Sequence, residues 1–397
     1  LTALRFSRRA SLTCALIFGL ATLAWPYARL FFAEPIAAMG LLIAFYGCVL
    51  FHRKPEPRSA SLCGLGMGIT IAGFFAGIIG CLILLGGLGY TLLKRSMQRR
   101  ERLNALGGWI IGFAGPLIVV SLYNCLRFGS PLDTGWRLMR DDFNLWIHRG
   151  LLGSLLSPAR GLLFYSPSIL LALPGYLVGF RQRKFGFSLT AMLCIVYLLF
   201  YAAWKNWHAG WSWGPRYLVS VLPLMIVPVA PLLERLQSRG SAAGYILVII
   251  LIIISACVQI IGVAGNYAET EFILDERGIN QADGWFYRGR VALFDLAASP
   301  LIVQAQNVWQ GRLDWSWAAG GKIDGLAVAI CGLVLLAGII TLWSAYKAYP
   351  GSHFIAYVAV CALLVGTSVV VVRATRRPFY DIESDGRLEV LSHIVAH

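Results

Sequence analysis

Between residues 204 and 217 the chain reads WKNWHAGWSWGPRY, with four Trp, one Lys, one His and one Arg in a short stretch between apolar runs. Trp204, Trp207, His208 and Trp211 fall at i, i+3, i+4 and i+7, so a helix here would carry three indoles and an imidazole on one face. Such a face can stack a sugar ring or clamp a lipid head group. It can equally be an aromatic belt at a membrane–water interface. The next residues read as a helix start. Ser212 or Gly214 is the cap, Pro215 takes the first helical position, and Arg216 and Tyr217 lie in the first turn. A helix N-terminus favours an anion, and an Arg placed there adds a forked donor that matches phosphate. A salt bridge to a loop carboxylate is the plainer alternative.

The same construction recurs in LLSPARGLLFYSPS, with Ser157 as cap, Pro158 in the first position and Arg160 in the first turn of a helix expected over 161–180. Arg160, Arg216 and Tyr217 together read as a binding site for the phosphate or pyrophosphate of a lipid. A carboxylate near such a phosphate suits general-base activation of a hydroxyl or amine. Glu34, in RLFFAEP, and Asp133, in FGSPLDTGW, are the candidate catalytic acids. Asp141, Asp142, Glu269, Glu271, Asp275, Glu276, Asp283, Asp295 and Asp314 lie in the same kind of loop and read as solvated. No phosphate loop, zinc-protease, nucleophile-elbow or Cys/His metal pattern occurs, so no metal ligand is assigned and a need for a divalent metal stays open.

These residues need a membrane scaffold to position them. The chain has 397 residues, 58% of them hydrophobic and 13% charged, a balance that excludes an ordinary soluble domain. The apolar runs are continuous rather than alternating, which predicts an all-α polytopic fold. Eleven candidate spans fall near 11–25, 35–51, 62–76, 79–93, 105–126, 161–180, 186–203, 217–233, 243–264, 324–346 and 354–372. The first reads as a signal-anchor-like span. The Gly-rich segment 62–93 reads as a tight hairpin, and kinks are expected at Ser166-Pro167 and Pro174-Gly175.

The net charge of +15 does not point to nucleic acid, because the bases cluster in short caps beside the spans. With the N-terminus inside, the cytoplasmic loops carry most of these bases and only Glu56, Glu101 and Glu234 among acids. The basic tail over 373–397 departs from this pattern. The outer loops, 124–160, 204–216 and 265–323, are the long ones, and the membrane domain runs over 1–372. The nine Cys are odd in number and lie in or beside apolar runs, which excludes a disulfide framework and leaves small buried hydrophobes. No mid-span charge marks an ion or proton pathway.

The stretches TLAWPYARLFFAEPIAA, YNCLRFGSPLDTGW, GLLGSLLSPARGLLFYSPSILLALPG and WHAGWSWGPRYLVSVLPL resemble bacterial GT-C-type integral-membrane glycosyltransferases. These are relatives of the mannosyl- and aminoarabinosyltransferases that use polyprenyl-phosphate sugars. The resemblance covers roughly residues 20 to 235. It implies a GT-C-like fold in the bacterial inner membrane. It also implies a polyprenyl-phosphate-linked sugar as donor, and a glycan, lipid or protein acceptor on the periplasmic side. The family carries a catalytic Asp or Asp/Glu pair in its first outer loop; here that loop offers only Glu34. The expectation is that a first helix and its acidic loop precede Leu1. A non-catalytic lipid-linked-glycan flippase and a membrane scaffold are the alternative functions.

Overall fold

The computed structural model describes residues 1–134, 143, 146–182, 184–276, 293–314, 318–319 and 322–323. The expected spans 324–346 and 354–372 and the tail over 373–397 lie outside the described residues, as do Asp141, Asp142 and Asp283. The chain forms two compact units. The larger comprises Leu1–Val263 and Tyr267–Gln304. The smaller is described over 264–266, 305–314, 318–319 and 322–323, where Asp314 N donates to Ala264 O and a two-residue antiparallel pairing joins Ala318–Ala319 to Lys322–Ile323.

Among its described residues the larger unit is built from helices joined by turns. Its elements are α1 (Arg8–Leu20), α2 (Ala24–Arg29), α3 (Glu34–Arg53), α4 (Pro57–Gly73), α5 (Ile78–Lys94) and α6 (Arg99–Phe128). They are followed by α7 (Ile147–Leu156), α8 (Leu162–Tyr165), α9 (Ala172–Gln182), α10 (Lys184–Ala203), α11 (Leu222–Ile226) and α12 (Val229–Arg239). The last are α13 (Ala242–Ala264), α14 (Tyr267–Glu276) and α15 (Pro300–Trp309); Ala264 of α13 and the part of α15 from residue 305 onward fall in the smaller unit. Six runs among the described residues are long and apolar enough to cross a membrane: Glu34–Arg53, Phe75–Lys94, Arg99–Phe128, Phe185–Ala203, Arg216–Arg239 and Ala242–Ala264. This is an all-α integral membrane protein.

Of the nine spans expected among the described residues six are found, and three differences have local causes. The span expected at 62–76 is α4, whose 17 residues make it short for an upright crossing. The other two, 11–25 and 161–180, are broken. α1 stops at Leu20, and Thr22 turns its hydroxyl back to Phe18 O. The run from 161 splits at Ser166 into α8, a 3-10 turn (Pro167–Leu171) and α9. Pro167 causes that break, while Pro174, in the first turn of α9, interrupts nothing.

The two breaks repair one another. Ser166 Oγ accepts from Leu23 N at 3.1 Å, and Ser168 Oγ donates to Ala21 O at 2.6 Å. α13 supplies the rest: Ser255 Oγ accepts from Ser168 N at 2.6 Å, and Gln259 Nε2 donates to Tyr165 O at 2.5 Å. Backbone groups freed inside a membrane protein must find such partners, since lipid offers none.

The Gly-rich segment does form a hairpin, α4 to α5 through a 3-10 turn (Phe75–Gly77). Glycines of the flanking helices let these approach α4 closely. A Cβ on Gly47 would lie 2.4 Å from Cys63 N, so α3 and α4 touch backbone to backbone. A Cβ on Gly112 would lie 2.1 Å from Ser61 O, which seats α6 on the opposite side of α4. α6 exposes Ile111, Ile118, Val119, Leu122 and Leu126 along its outer face, the pattern of a helix that meets lipid.

The basic caps gather at one end. Arg53 donates to Ala3 O, Arg95 donates to His52 O, and Ser7 N donates to Glu234. Glu34 opens α3, and Arg216 opens the 3-10 turn (Arg216–Val221) that leads into α11 and packs beside α3. α3 runs from Glu34 down to Arg53 at the basic end, so the Glu34–Arg216 end is the other one.

Candidate functional site

Glu34 and Arg216 are partners. Arg216 Nε lies 3.0 Å from Glu34 Oε1, with the side chains 22% and 3% exposed. The pair is ionic rather than a well-aligned hydrogen bond. Local structure explains both positions. Glu34 takes the first residue of α3, where the helix dipole favours a carboxylate, and Pro35 beside it needs no N–H partner. Pro215 and Gly214, the latter at φ +67°, turn the chain so that Arg216 starts the next helical run. An Arg there meets the unfavourable end of the dipole, and Glu34 offsets it.

Aromatic rings surround the pair. The Arg216 guanidinium carbon lies 4.9 Å from the Phe32 ring centre and 5.2 Å from that of Tyr217. Tyr217 stacks on Tyr201 at 4.7 Å, and Tyr201 touches Trp204 at 6.2 Å. Phe32 in turn meets Tyr27 at 5.5 Å and Tyr267 at 6.3 Å. Burial lifts the Tyr27 hydroxyl above the usual tyrosine range, with Glu34 adding to it and Arg216 opposing. Tyr27 donates to Trp213 O at 3.1 Å. Among the described residues no hydrogen bond takes up the Nη nitrogens of Arg216. Ring contacts hold a guanidinium by its face and leave its edge, where the donors lie, for an oxyanion.

Arg160 is placed differently from the expectation. Ser157 Oγ accepts from Ala159 N and Arg160 N at 3.1 Å, so the cap is formed. The residues it caps are a turn ahead of the four-residue α8, not the opening of a long helix. The Arg160 side chain is buried and engaged within the protein. Nη2 donates to Glu271 Oε1 at 2.5 Å and to Gly210 O at 3.0 Å, and Nη1 donates to Ser212 O at 2.8 Å and Ala159 O at 3.2 Å. Burial opposes the charge, yet Glu271 and Tyr165 together hold the guanidinium above the ordinary arginine range. The expectation that Arg160 opens a long helix is corrected; its Nη donors face protein here, and a phosphate shared with Arg216 stays a proposal.

The helical face expected over Trp204 to Trp211 is corrected as well. α10 ends at Ala203, and 204–215 runs in turns, not as a helix. Ala209 at φ 64° and Gly210 at φ 63° are two successive left-handed residues that a helix cannot contain. Trp204 and Trp207 are therefore core residues. Trp204 packs on Phe200 and Phe143, and Trp207 lies on Gly153, where a Cβ would come 2.1 Å from its ring. Trp213 is buried against Tyr165 at 4.9 Å. His208 and Trp211 are half-buried.

Asp133 sits half-buried in the turn after α6. It is on a different element from the Glu34–Arg216 pair. Sequence reasoning missed Phe32, Tyr201 and Tyr27. The first two lie within four residues of Glu34 or Trp204, but only the fold brings them to Arg216. Among the described residues, no three His, Cys, Asp or Glu come together as a cation site. No family model, curated protein or solved structure matches this chain.

Proposed function

We propose that the chain is a membrane glycosyltransferase of GT-C type, moving a sugar from a polyprenyl-phosphate carrier to an acceptor on the periplasmic side of the bacterial inner membrane. The observation that carries this reading is the Glu34–Arg216 pair in its aromatic surround, with a buried carboxylate and a guanidinium whose Nη nitrogens take part in no hydrogen bond among the described residues. A carrier phosphate binds the Nη edge of Arg216 and draws its charge away from Glu34. The released carboxylate then accepts the proton of an acceptor hydroxyl or amine. The acceptor atom attacks the anomeric carbon as the bond from that carbon to the phosphate oxygen breaks, and the phosphate leaves with the bond electrons. Configuration at the carbon inverts. An Arg fixed where the negative charge develops, in a site poor in water, contributes most at this step. The Phe32, Tyr201 and Tyr217 rings line the path for the prenyl chain or the sugar, the part earlier given to Trp204, Trp207, His208 and Trp211. The periplasmic placement is supported by the basic caps, which gather at the end away from Glu34.

The test is transfer in reconstituted vesicles supplied with a labelled polyprenyl-phosphate sugar. Wild-type protein should release free polyprenyl phosphate, and Glu34→Gln should bind the donor without consuming it. A second reading, lipid-linked-glycan translocation, is favoured by the breaks after Leu20 and at Ser166, since interrupted helices recur at substrate sites of transporters. Donor that changes leaflet but is never cleaved would select that reading.

A further inference from the structure

Tyr267 and Glu271 lie one turn apart on α14 and so share a face of it. Glu271 reaches down to Arg160, while the Tyr267 ring stands 6.3 Å from Phe32, the residue beneath Arg216. One ten-residue helix therefore touches both arginines' surroundings. Arg160 is a junction as well. Its four Nη hydrogen bonds join the 157–160 turn to the left-handed bend at Ala209 and Gly210, to Ser212 and to α14.

We propose that α14 is a strap across the Glu34–Arg216 site, and that the Arg160–Glu271 pair is its latch, a positioning pair that fixes Tyr267 in the wall around Arg216. The inference rests on Glu34–Arg216 being the reacting site. The latch is strong where it is because both side chains are almost fully buried, where water cannot compete for either charge. Thr270, beside Glu271 and also buried, bonds Gln304 of α15, so α14 is held at two neighbouring residues, and Tyr267 stands half-buried at its start, one turn before Glu271.

The experiment reads Arg216 directly and needs no donor. Full-length protein in detergent is treated with phenylglyoxal, and the modification rate at Arg216 is followed by peptide mass spectrometry. Exposed Arg100, at the basic end, is the control. Glu271→Gln should speed modification of Arg216 by about tenfold or more, the factor set by loss of a charged hydrogen bond, and should raise amide exchange across α14. Tyr267→Ala, which keeps the latch, should speed Arg216 modification with exchange at Leu274 unchanged. It also serves if Glu271→Gln fails to fold. Wild-type rates at Arg216 in both variants would overturn the proposal. So would an equal acceleration at Arg100, which would make the pair a general support of the fold. Absence of sugar transfer by the wild-type protein would count against the reaction alone, and these rates would still decide the latch.

Discussion

Arg160 and Arg216 enter the structure from nearly the same sequence, a small residue and a proline followed closely by an arginine, and they end in opposite situations. Arg160 meets a carboxylate and three backbone carbonyls and is buried. Arg216 meets one carboxylate and two rings, and among the described residues its Nη nitrogens take part in no hydrogen bond. What separates them is the backbone nearby. The bend at Ala209 and Gly210 turns carbonyls toward Arg160, while the helical starts beside Arg216 point N–H groups rather than carbonyls at that end. Availability for chemistry is thus set by how many acceptors the local chain turns toward a guanidinium.

The comparison breaks most sharply under truncation. Arg160→Ala leaves the Glu271 carboxylate buried and uncompensated, and should lower stability by about 3–5 kcal/mol. Arg216→Ala, with a partly exposed guanidinium lost, should lower it less. Chemical unfolding in detergent measures both, and a larger loss for Arg216→Ala would reverse the assignment of structural and chemical roles.

Next in size is Glu34→Gln. If Glu34 is the proposed base, its loss should lower turnover about a hundred- to ten-thousandfold, with donor affinity little changed. Its mirror, Glu271→Gln, should damage stability first and turnover only through the strap. Equal turnover in Glu34→Gln and wild type would remove Glu34 from the chemistry and turn attention to Asp133.

The tryptophans extend the contrast. Trp207→Ala should cost about 3–5 kcal/mol of stability, because the ring fills the space over Gly153. Trp211→Ala, half-exposed, should cost under about 1 kcal/mol. Thermal unfolding of the pair decides whether this stretch is core or platform. A weakened donor affinity in Trp211→Ala with stability intact would restore a binding role to that residue alone.

Hydropathy made the long spans legible. α3, α6, α10 and α13 fall where continuous apolar runs place them, and the hairpin between α4 and α5 follows from basic flanks on both sides of it. The broken helices were not legible in full. Ser166-Pro167 announces one break, but Thr22 does not announce the other, and the partners that satisfy the freed groups, Ser168 and Ser255 above all, are distant in sequence. The Trp204 to Trp211 spacing misled because period alone assumes a helix, while Gly210 and Gly214 permit the left-handed turns that cancel it. Glu34 and Arg216 could each be singled out as a residue opening a helix at the same membrane face. Their pairing could be suspected, whereas that of Arg160 with Glu271 could not, since Glu271 read as one loop acid among many.

The smallest effect, and the most discriminating, comes from Arg→Lys at the two sites. Lysine keeps the charge but replaces a planar fork with a single ammonium. At Arg160 the fork serves four acceptors in three segments, and an ammonium cannot reach them all. Arg160→Lys should therefore lose about 1.5–3 kcal/mol of stability through stranded acceptors, with donor affinity falling only as far as the strap loosens. At Arg216 the protein uses only the Nε side, toward Glu34, and a lysine can keep that ion pair. Arg216→Lys should leave unfolding nearly unchanged and weaken carrier-phosphate binding about ten- to a hundredfold, because a two-pronged contact to an oxyanion becomes a point contact. The two losses should add in the double variant, as the groups grip different partners. Strong coupling between them would mean that both guanidinium groups reach one anion in the protein, and that the Arg160–Glu271 pair opens when the proposed carrier binds.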